Sequence, residues 1–140
     1  MSDAYDAMLK KVPLFSGLGS KELRHIGSLL TPLDVKAGMT LTREGQAGHE
    51  FLIIVEGTAS VTHGGTEIAT VGPGDFQGEI SILDGGPRTA TVVATSAMKV
   101  LVASHQEFLS LLDESPEIAR KMLPALAHRV RSLSEPSHSH

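Results

Sequence analysis

A carboxylate and a guanidinium lie close together in a glycine-rich segment, residues 78–91, and they offer the most specific chemistry in the chain. Glu79 follows Gly78, and Arg88 follows the run Gly85-Gly86-Pro87. An arginine and the backbone N–H groups at a helix start together bind a phosphate. A glutamate accepts hydrogen bonds from sugar hydroxyls. The segment therefore predicts a pocket for an anion that carries hydroxyl groups. The alternative is a structural salt bridge with no ligand, which would not need this glycine context.

The composition predicts one globular domain that is neither a general nucleic-acid binder nor a disulfide scaffold. The chain has 140 residues, of which 41% are hydrophobic, enough for a single packed core. Its 12 basic and 16 acidic residues give a net charge of −4, whereas non-specific nucleic-acid binding needs a basic surface. Aromatic residues make up only 4%, too few to stack bases. There is no cysteine, which excludes disulfides and thiolate chemistry.

The apolar segments are too short for a membrane protein. No run approaches the roughly 20 residues of a membrane span. The segment Met1–Lys11 contains Asp3 and Asp6 and has no signal-peptide core. We therefore expect a cytoplasmic protein without a membrane partner.

The middle of the chain, residues 32–103, predicts an antiparallel β-roll of jelly-roll type. Short runs rich in Val, Ile and Thr alternate there with glycine turns at a spacing typical of such folds. The continuous apolar run Phe51–Val55 predicts a strand that is buried on both faces. His63-Gly64-Gly65-Thr66 predicts a hairpin. Residues 90–94 and 98–103 are expected to be closing strands, so the fold class is mainly β with flanking helices.

Helices are expected on both sides of the roll, within residues 3–30 and 105–134. Ser20 is the expected N-cap of the second helix, and Ser115-Pro116 is expected to begin the last one. Pro124 predicts a kink or break near Leu123, because proline removes a backbone donor and clashes with the preceding turn. An apolar stripe on the last helix predicts either core packing with a lid or a homodimer seam, and it comprises Ile118, Met122, Leu126, Val130 and Leu133.

The chain is expected to form one domain, residues 1–134, followed by a flexible tail, residues 135–140. The seven histidines are dispersed, and the only H-x-H pair, His138 and His140, lies in that tail. We therefore expect neither a metal nor a cofactor. Ser81 and Ser134 have no His–Asp partner at a useful spacing, so an enzyme is not expected.

Two separated signatures stand out in the chain. The first combines Gly45-Gln46-Ala47-Gly48 with Phe51–Ile54 and Gly57. The second is Gly78–Ile82 followed by Arg88-Thr89-Ala90. They resemble the glycine-framed strand pair and the phosphate cassette of the cyclic nucleotide-binding domain family, the β-roll type found in cAMP receptors and kinase regulatory subunits. The resemblance spans about residues 12–134. Gln77 departs from it, because the family usually has an apolar or aromatic residue there. Gln77 could alter packing or reach the ligand.

The resemblance implies a role for each matching residue. Arg88 would pair with the cyclic phosphate, and Glu79 would accept a hydrogen bond from the ribose 2′-hydroxyl. Further residues would complete the site, namely Gly78, the N–H groups of Ile80 and Ser81, and Thr89 and Ala90 near the phosphate. Residues of two strands would wall the purine, namely Val61, Ala69 and Val71. The last helix would close over the base, with Val130, Leu133 and Ser134 as lid candidates.

The resemblance also implies a binding sensor for cAMP or cGMP. It favours cAMP, although the Thr89 hydroxyl leaves cGMP open. No helix-turn-helix follows the last helix, so we expect a protein effector as partner rather than DNA. The family-like N-terminal helices favour a natural N-terminus, but the chain could also be a fragment. The alternative function is a protein-interaction domain on the same fold that binds no nucleotide. A metal-dependent enzyme of cupin type lacks the histidine cluster that it would need.

Overall fold

The computed structural model describes residues 2–79, 82 and 85–134, and these residues include two four-stranded antiparallel sheets and four α-helices with defined bounds. The helices are α1 (Ser2–Lys10), α2 (Ser20–Ser28), α3 (His105–Glu114) and α4 (Pro116–Ser134), with a short 3₁₀ helix at Pro13–Phe15. The strands are β1 (Thr31–Val35), β2 (Thr40–Thr42), β3 (Phe51–Glu56), β4 (Ala59–His63), β5 (Thr66–Val71), β6 (Phe76–Gln77), β7 (Thr91–Ala94) and β8 (Met98–Ala103).

The sheets have the strand orders β1-β8-β3-β6 and β2-β7-β4-β5, and every pairing is antiparallel. This arrangement confirms the predicted β-roll, with helices before its first strand and after its last strand. The predicted hairpin is also confirmed, since His63 pairs with Thr66 across a Gly64-Gly65 turn.

Strand β3 contributes side chains to two clusters of the hydrophobic core. Phe51 and Ile53 belong to a cluster formed with the helices, where the Phe51 and Phe108 rings lie 4.4 Å apart. Ile54 belongs to a second cluster with Val61 of the opposite sheet. Successive side chains of a strand point to opposite faces. The apolar run therefore packs against helices on one face and against a sheet on the other, as the sequence predicted.

Helix α2 begins one residue earlier than predicted, and its N-cap is Gly19 rather than Ser20. The Glu22 carboxylate accepts a hydrogen bond from the Gly19 N–H at 3.3 Å, which satisfies a donor at the helix start. Ser20 is the first helical residue, and the expected capping role for it is wrong.

Helix α4 continues through Pro124 to Ser134, so a break at the proline is wrong, while a kink there stays a prediction. Ile118 and Met122 are buried before the proline, and Leu126 packs against the same core after it. Tertiary packing on both sides outweighs the loss of one backbone hydrogen bond. The first half of the predicted stripe is therefore core.

Candidate functional site

Arg88 is held in place through its backbone by the turn that connects β2 to β3. The N–H of Gly45 donates to the carbonyl oxygen of Arg88, and the N–H of Arg88 donates to that of Gln46, both at 2.9 Å. This two-bond bridge places the arginine next to the first glycine-rich signature. The two signatures that are separated in the sequence thus meet in space.

The guanidinium of Arg88 lies in a close-fitting cradle of backbone. The residue exposes only 7% of its surface, and Nη1 donates to the carbonyl oxygen of Glu50 at 3.0 Å. A Cβ atom on Gly48 would lie 2.2 Å from Arg88 Nε, and one on Gly78 would lie 2.6 Å from Nη1. Both glycines are therefore required by the close approach of the guanidinium, because any side chain would occupy its position.

Glu79 contributes a buried carboxylate beside this cation. It exposes 1% of its surface, and its backbone is helical. Burial lowers the pKa of the Arg88 guanidinium, and the carboxylates of Glu50 and Glu79 oppose that shift by Coulombic attraction. Arginine stays charged at neutral pH despite such shifts. The site thus offers a fixed cation next to a hydrogen-bond acceptor.

The predicted base wall lies on one face of the β4–β5 hairpin. Val61 is directly opposite Ala69 in the register, and Val71 is opposite Ala59, so these side chains share a face. Val61 and Val71 are buried in the cluster between the sheets, whereas Ala69 is exposed. The surface is therefore apolar and extends from the interior to the solvent.

Thr89 and Ala90 follow Arg88 directly and are half-buried. Gln77 is half-buried in β6, opposite Leu52. Ile80 and Ser81 lie outside the described residues, as does the tail with His138 and His140. Val130, Leu133 and Ser134 belong to α4, but their side chains are outside the described part of the structure. These lid candidates stay predictions.

Sequence reasoning missed three features of the site. The sequence places Gly48 in the first signature without a contact, but its φ lies outside the left-handed region and its role is to make room for Arg88. The Glu50 carbonyl could not be found from the sequence, because a backbone acceptor leaves no residue-type signal. His63 was treated as a hairpin residue, yet its Nδ1 lies 2.9 Å from the Thr89 carbonyl oxygen.

The described residues contain no group of three or more histidines and carboxylates that could hold a metal ion. Within the same part of the chain, no helix combines the length and apolar character needed to cross a membrane.

The fold and the cradle around Arg88 define a class of binding domain, and comparison with known proteins identifies it. The family model of the cyclic nucleotide-binding domain matches residues 32–115. The chain therefore belongs to the cyclic nucleotide-binding domain family. This match includes both glycine-rich signatures.

Relatives of the chain include a protein kinase regulatory subunit and a potassium channel. A cAMP-dependent protein kinase regulatory subunit of Yarrowia lipolytica is 39% identical over 110 residues, which cover 77% of this chain and 29% of the relative. A cyclic nucleotide-gated potassium channel of Rhizobium etli is 38% identical over 112 residues, which cover 80% of this chain and 31% of the channel. The chain thus spans about a third of the length of these relatives.

A solved structure shows the same fold with a nucleotide. The regulatory domain of Toxoplasma gondii PKA, crystallised with cAMP, aligns with a TM-score of 0.77 and 25% identity, covering 89% of this chain and 49% of that one.

Proposed function

We propose that this chain is a sensor that binds a cyclic nucleotide, cAMP in preference to cGMP, and has no catalytic activity of its own. The observation that carries the proposal is the buried Arg88 guanidinium, framed by Gly48 and Gly78 and neighboured by Glu79. Burying a charge is costly, and an entering phosphate would give this cation a charge-assisted partner in addition to the Glu50 carbonyl. The residues at this position belong to the part of the chain that matches the family.

Each part of the nucleotide has a partner in the proposal. Arg88 pairs with the cyclic phosphate, together with the N–H groups of Ile80 and Ser81. Glu79 accepts the hydrogen bond of the ribose 2′-hydroxyl. The purine lies on the apolar face of the β4–β5 hairpin, and Thr89 and Ala90 lie beside the phosphate. Because a cyclic phosphodiester is a monoanion, the single cation of Arg88 can balance it.

The preference for cAMP rests on the relatives. The Yarrowia lipolytica subunit is named for cAMP, and the Toxoplasma gondii domain was crystallised with it. The hydroxyl of Thr89 could also serve a guanine, so cGMP is the competing ligand in every experiment.

The signal passes in this proposal from the cassette to α4 and from there to a protein effector. One domain, residues 1–134, contains both parts. Lys121 of α4 donates to the Ser16 hydroxyl at 3.0 Å, and Leu123 exposes 60% of its surface.

Pro124 serves as the hinge because it lacks the N–H that would tie the second half of the helix to the preceding turn. If Pro124→Ala changes neither nucleotide affinity nor the position of the helix, the hinge is refuted.

A thermal-shift measurement separates the sensor from a protein-interaction domain that binds no nucleotide. A ligand at 100 times its Kd stabilises the folded state by about 2.7 kcal/mol. For a chain of this size we expect cAMP to raise the Tm by about 5–10 °C on that basis. A Tm that neither cAMP nor cGMP changes would favour the interaction domain.

A further inference from the structure

The Nδ1 atom of His63, at the end of one strand, contacts residues from two other segments of the chain. The imidazole lies at the end of β4, and its Nδ1 is 2.9 Å from the carbonyl oxygen of Thr89. The same nitrogen lies 3.3 Å from Oε2 of Glu44, in the turn that precedes β3. The other carboxylate oxygen of Glu44 accepts a hydrogen bond from the N–H of Gly64 at 2.9 Å. Glu44 and His63 thus form a pair that bridges the hairpin and the cassette.

The chemistry of this contact fixes which atom carries the hydrogen. A carbonyl oxygen and a carboxylate oxygen both only accept, so Nδ1 has to be the donor. An imidazole with a hydrogen on Nδ1 exists in the neutral form and in the cation alike. The contact therefore does not require His63 to be charged.

The β4–β7 ladder also joins the hairpin to the end of segment 88–91, with Thr62 opposite Thr91, and further bonds come from residues 42–46. The Thr42 hydroxyl donates to the carbonyl oxygen of Ala90 at 3.0 Å, and the Glu44 N–H donates to Thr91 Oγ1 at 2.9 Å. Arg88 is bonded to the backbone of Gly45 and Gln46. The bond from His63 extends the contact between the hairpin and this segment beyond the ladder to Thr89, next to the arginine.

This location links the two halves of the proposed nucleotide site. The hairpin carries the apolar wall for the base on Val61, Ala69 and Val71, and Thr89 directly follows the arginine proposed to bind the phosphate. The His63–Thr89 bond, together with the β4–β7 pairing, fixes the distance from the base wall to the guanidinium. A ligand that bridges both parts needs that distance to be correct before it binds.

We infer that His63, oriented by Glu44, is a positioning residue that sets the spacing between the base wall and Arg88 and thereby the affinity for the nucleotide. The inference rests on the proposed function. His63 itself contacts no ligand in this scheme and acts through the Thr89 carbonyl.

Three variants test the inference by isothermal titration with cAMP. His63→Ala removes the donor, and because the imidazole is 42% exposed the fold should be retained. We expect its affinity to fall about five- to tenfold, the effect of one ordinary hydrogen bond. His63→Asn keeps an N–H donor close to the position of Nδ1 and should restore most of the affinity. The matched control is His25→Ala, which removes an exposed imidazole paired with Glu114 and should bind like the wild type.

A second measurement needs no ligand and keeps the two proposals apart. Amide hydrogen exchange of the free protein reports how firmly the Arg88 N–H is held by Gln46. We expect His63→Ala to accelerate exchange at Arg88 several-fold, and His63→Asn and His25→Ala to leave it unchanged. A wild-type protein that binds neither cAMP nor cGMP overturns the proposed function. Unchanged exchange at Arg88, or unchanged affinity in His63→Ala when the wild type binds, overturns the inference about His63.

Discussion

The substitution Gly48→Ala tests whether the cradle around Arg88 matters for binding. The added Cβ would lie 2.2 Å from Nε, 2.8 Å from Cζ and 2.9 Å from Nη2 of Arg88. Carbon contacts are ordinarily about 3.5–4.0 Å, so the guanidinium has to retreat by about 1.3 Å or more. Its bond to the Glu50 carbonyl is already 3.0 Å long and does not survive such a shift.

The magnitude follows from that lost bond. A hydrogen bond to a charged group contributes about 1.5–3 kcal/mol, which corresponds to a change of about 10- to 150-fold in an equilibrium constant. Because the φ of Gly48 lies outside the left-handed region, alanine adds little backbone strain. The displaced guanidinium also loses its charge-assisted contact with the phosphate, so we expect nucleotide affinity to fall by a factor in this range and the free energy of unfolding to fall by up to about the same 1.5–3 kcal/mol.

The assay is calorimetric titration with cAMP, combined with urea denaturation of the free protein. Gly72→Ala is the matched control, since its Cβ would meet no atom closer than 3.7 Å and its backbone is equally ordinary. If Gly48→Ala binds cAMP within twofold of the control, the cradle does not determine affinity and the reasoning about Arg88 fails.

Three further predictions concern the ribose contact and the helical side of the core. Glu79→Gln should reduce the preference for cAMP over 2′-deoxy-cAMP, because a neutral amide is a weaker acceptor than a carboxylate; an unchanged ratio of the two Kd values would exclude Glu79 as the ribose partner. Tyr5 donates to the Gly27 carbonyl at 2.8 Å, and burial, with a smaller effect of Asp6, raises the pKa of its phenol. The contribution of the Tyr5 phenol to the free energy of unfolding should therefore be complete below pH 10 and decline as the pH rises above that value. Urea denaturation should show that Tyr5→Phe loses less stability at alkaline pH than the wild type. Gly27→Ala should destabilise the fold by about 1–3 kcal/mol through overpacking, since its Cβ would lie 2.7 Å from Leu9 Cδ1; an unchanged urea midpoint would contradict that contact.

The fold was predictable where local pattern and tertiary structure agree. The apolar run of β3 and the Gly64-Gly65 hairpin carry signals that depend only on neighbouring residues, and both are confirmed. Pro124 shows the opposite case. Its local preference predicts a break, but Met122 and Leu126 anchor the helix to the core on either side, and no sequence window reveals that packing.

The charged residues of the candidate site could be predicted from the sequence, but the contacts that hold them in place could not. Arg88 and Glu79 stand out because few structures need such charges in a glycine-rich segment, and the structure brings them together. The contacts of Arg88 with Gly48 and with the Glu50 carbonyl join residues far apart in the sequence, and only the backbone bonds between Arg88 and the β2–β3 turn place them side by side. The bond from His63 to Thr89 was hidden for the same reason.

The central claim is that Arg88 binds the phosphate of a cyclic nucleotide, and calorimetric titration of the wild type and Arg88→Ala with cAMP and with cGMP tests it most directly. Removing one partner of a buried ionic contact costs about 3–5 kcal/mol. We expect saturable binding of cAMP by the wild type, weaker binding of cGMP, and a loss of about 100- to 4000-fold in Arg88→Ala. Equal affinity in both proteins, or no binding of either nucleotide by the wild type, would contradict it.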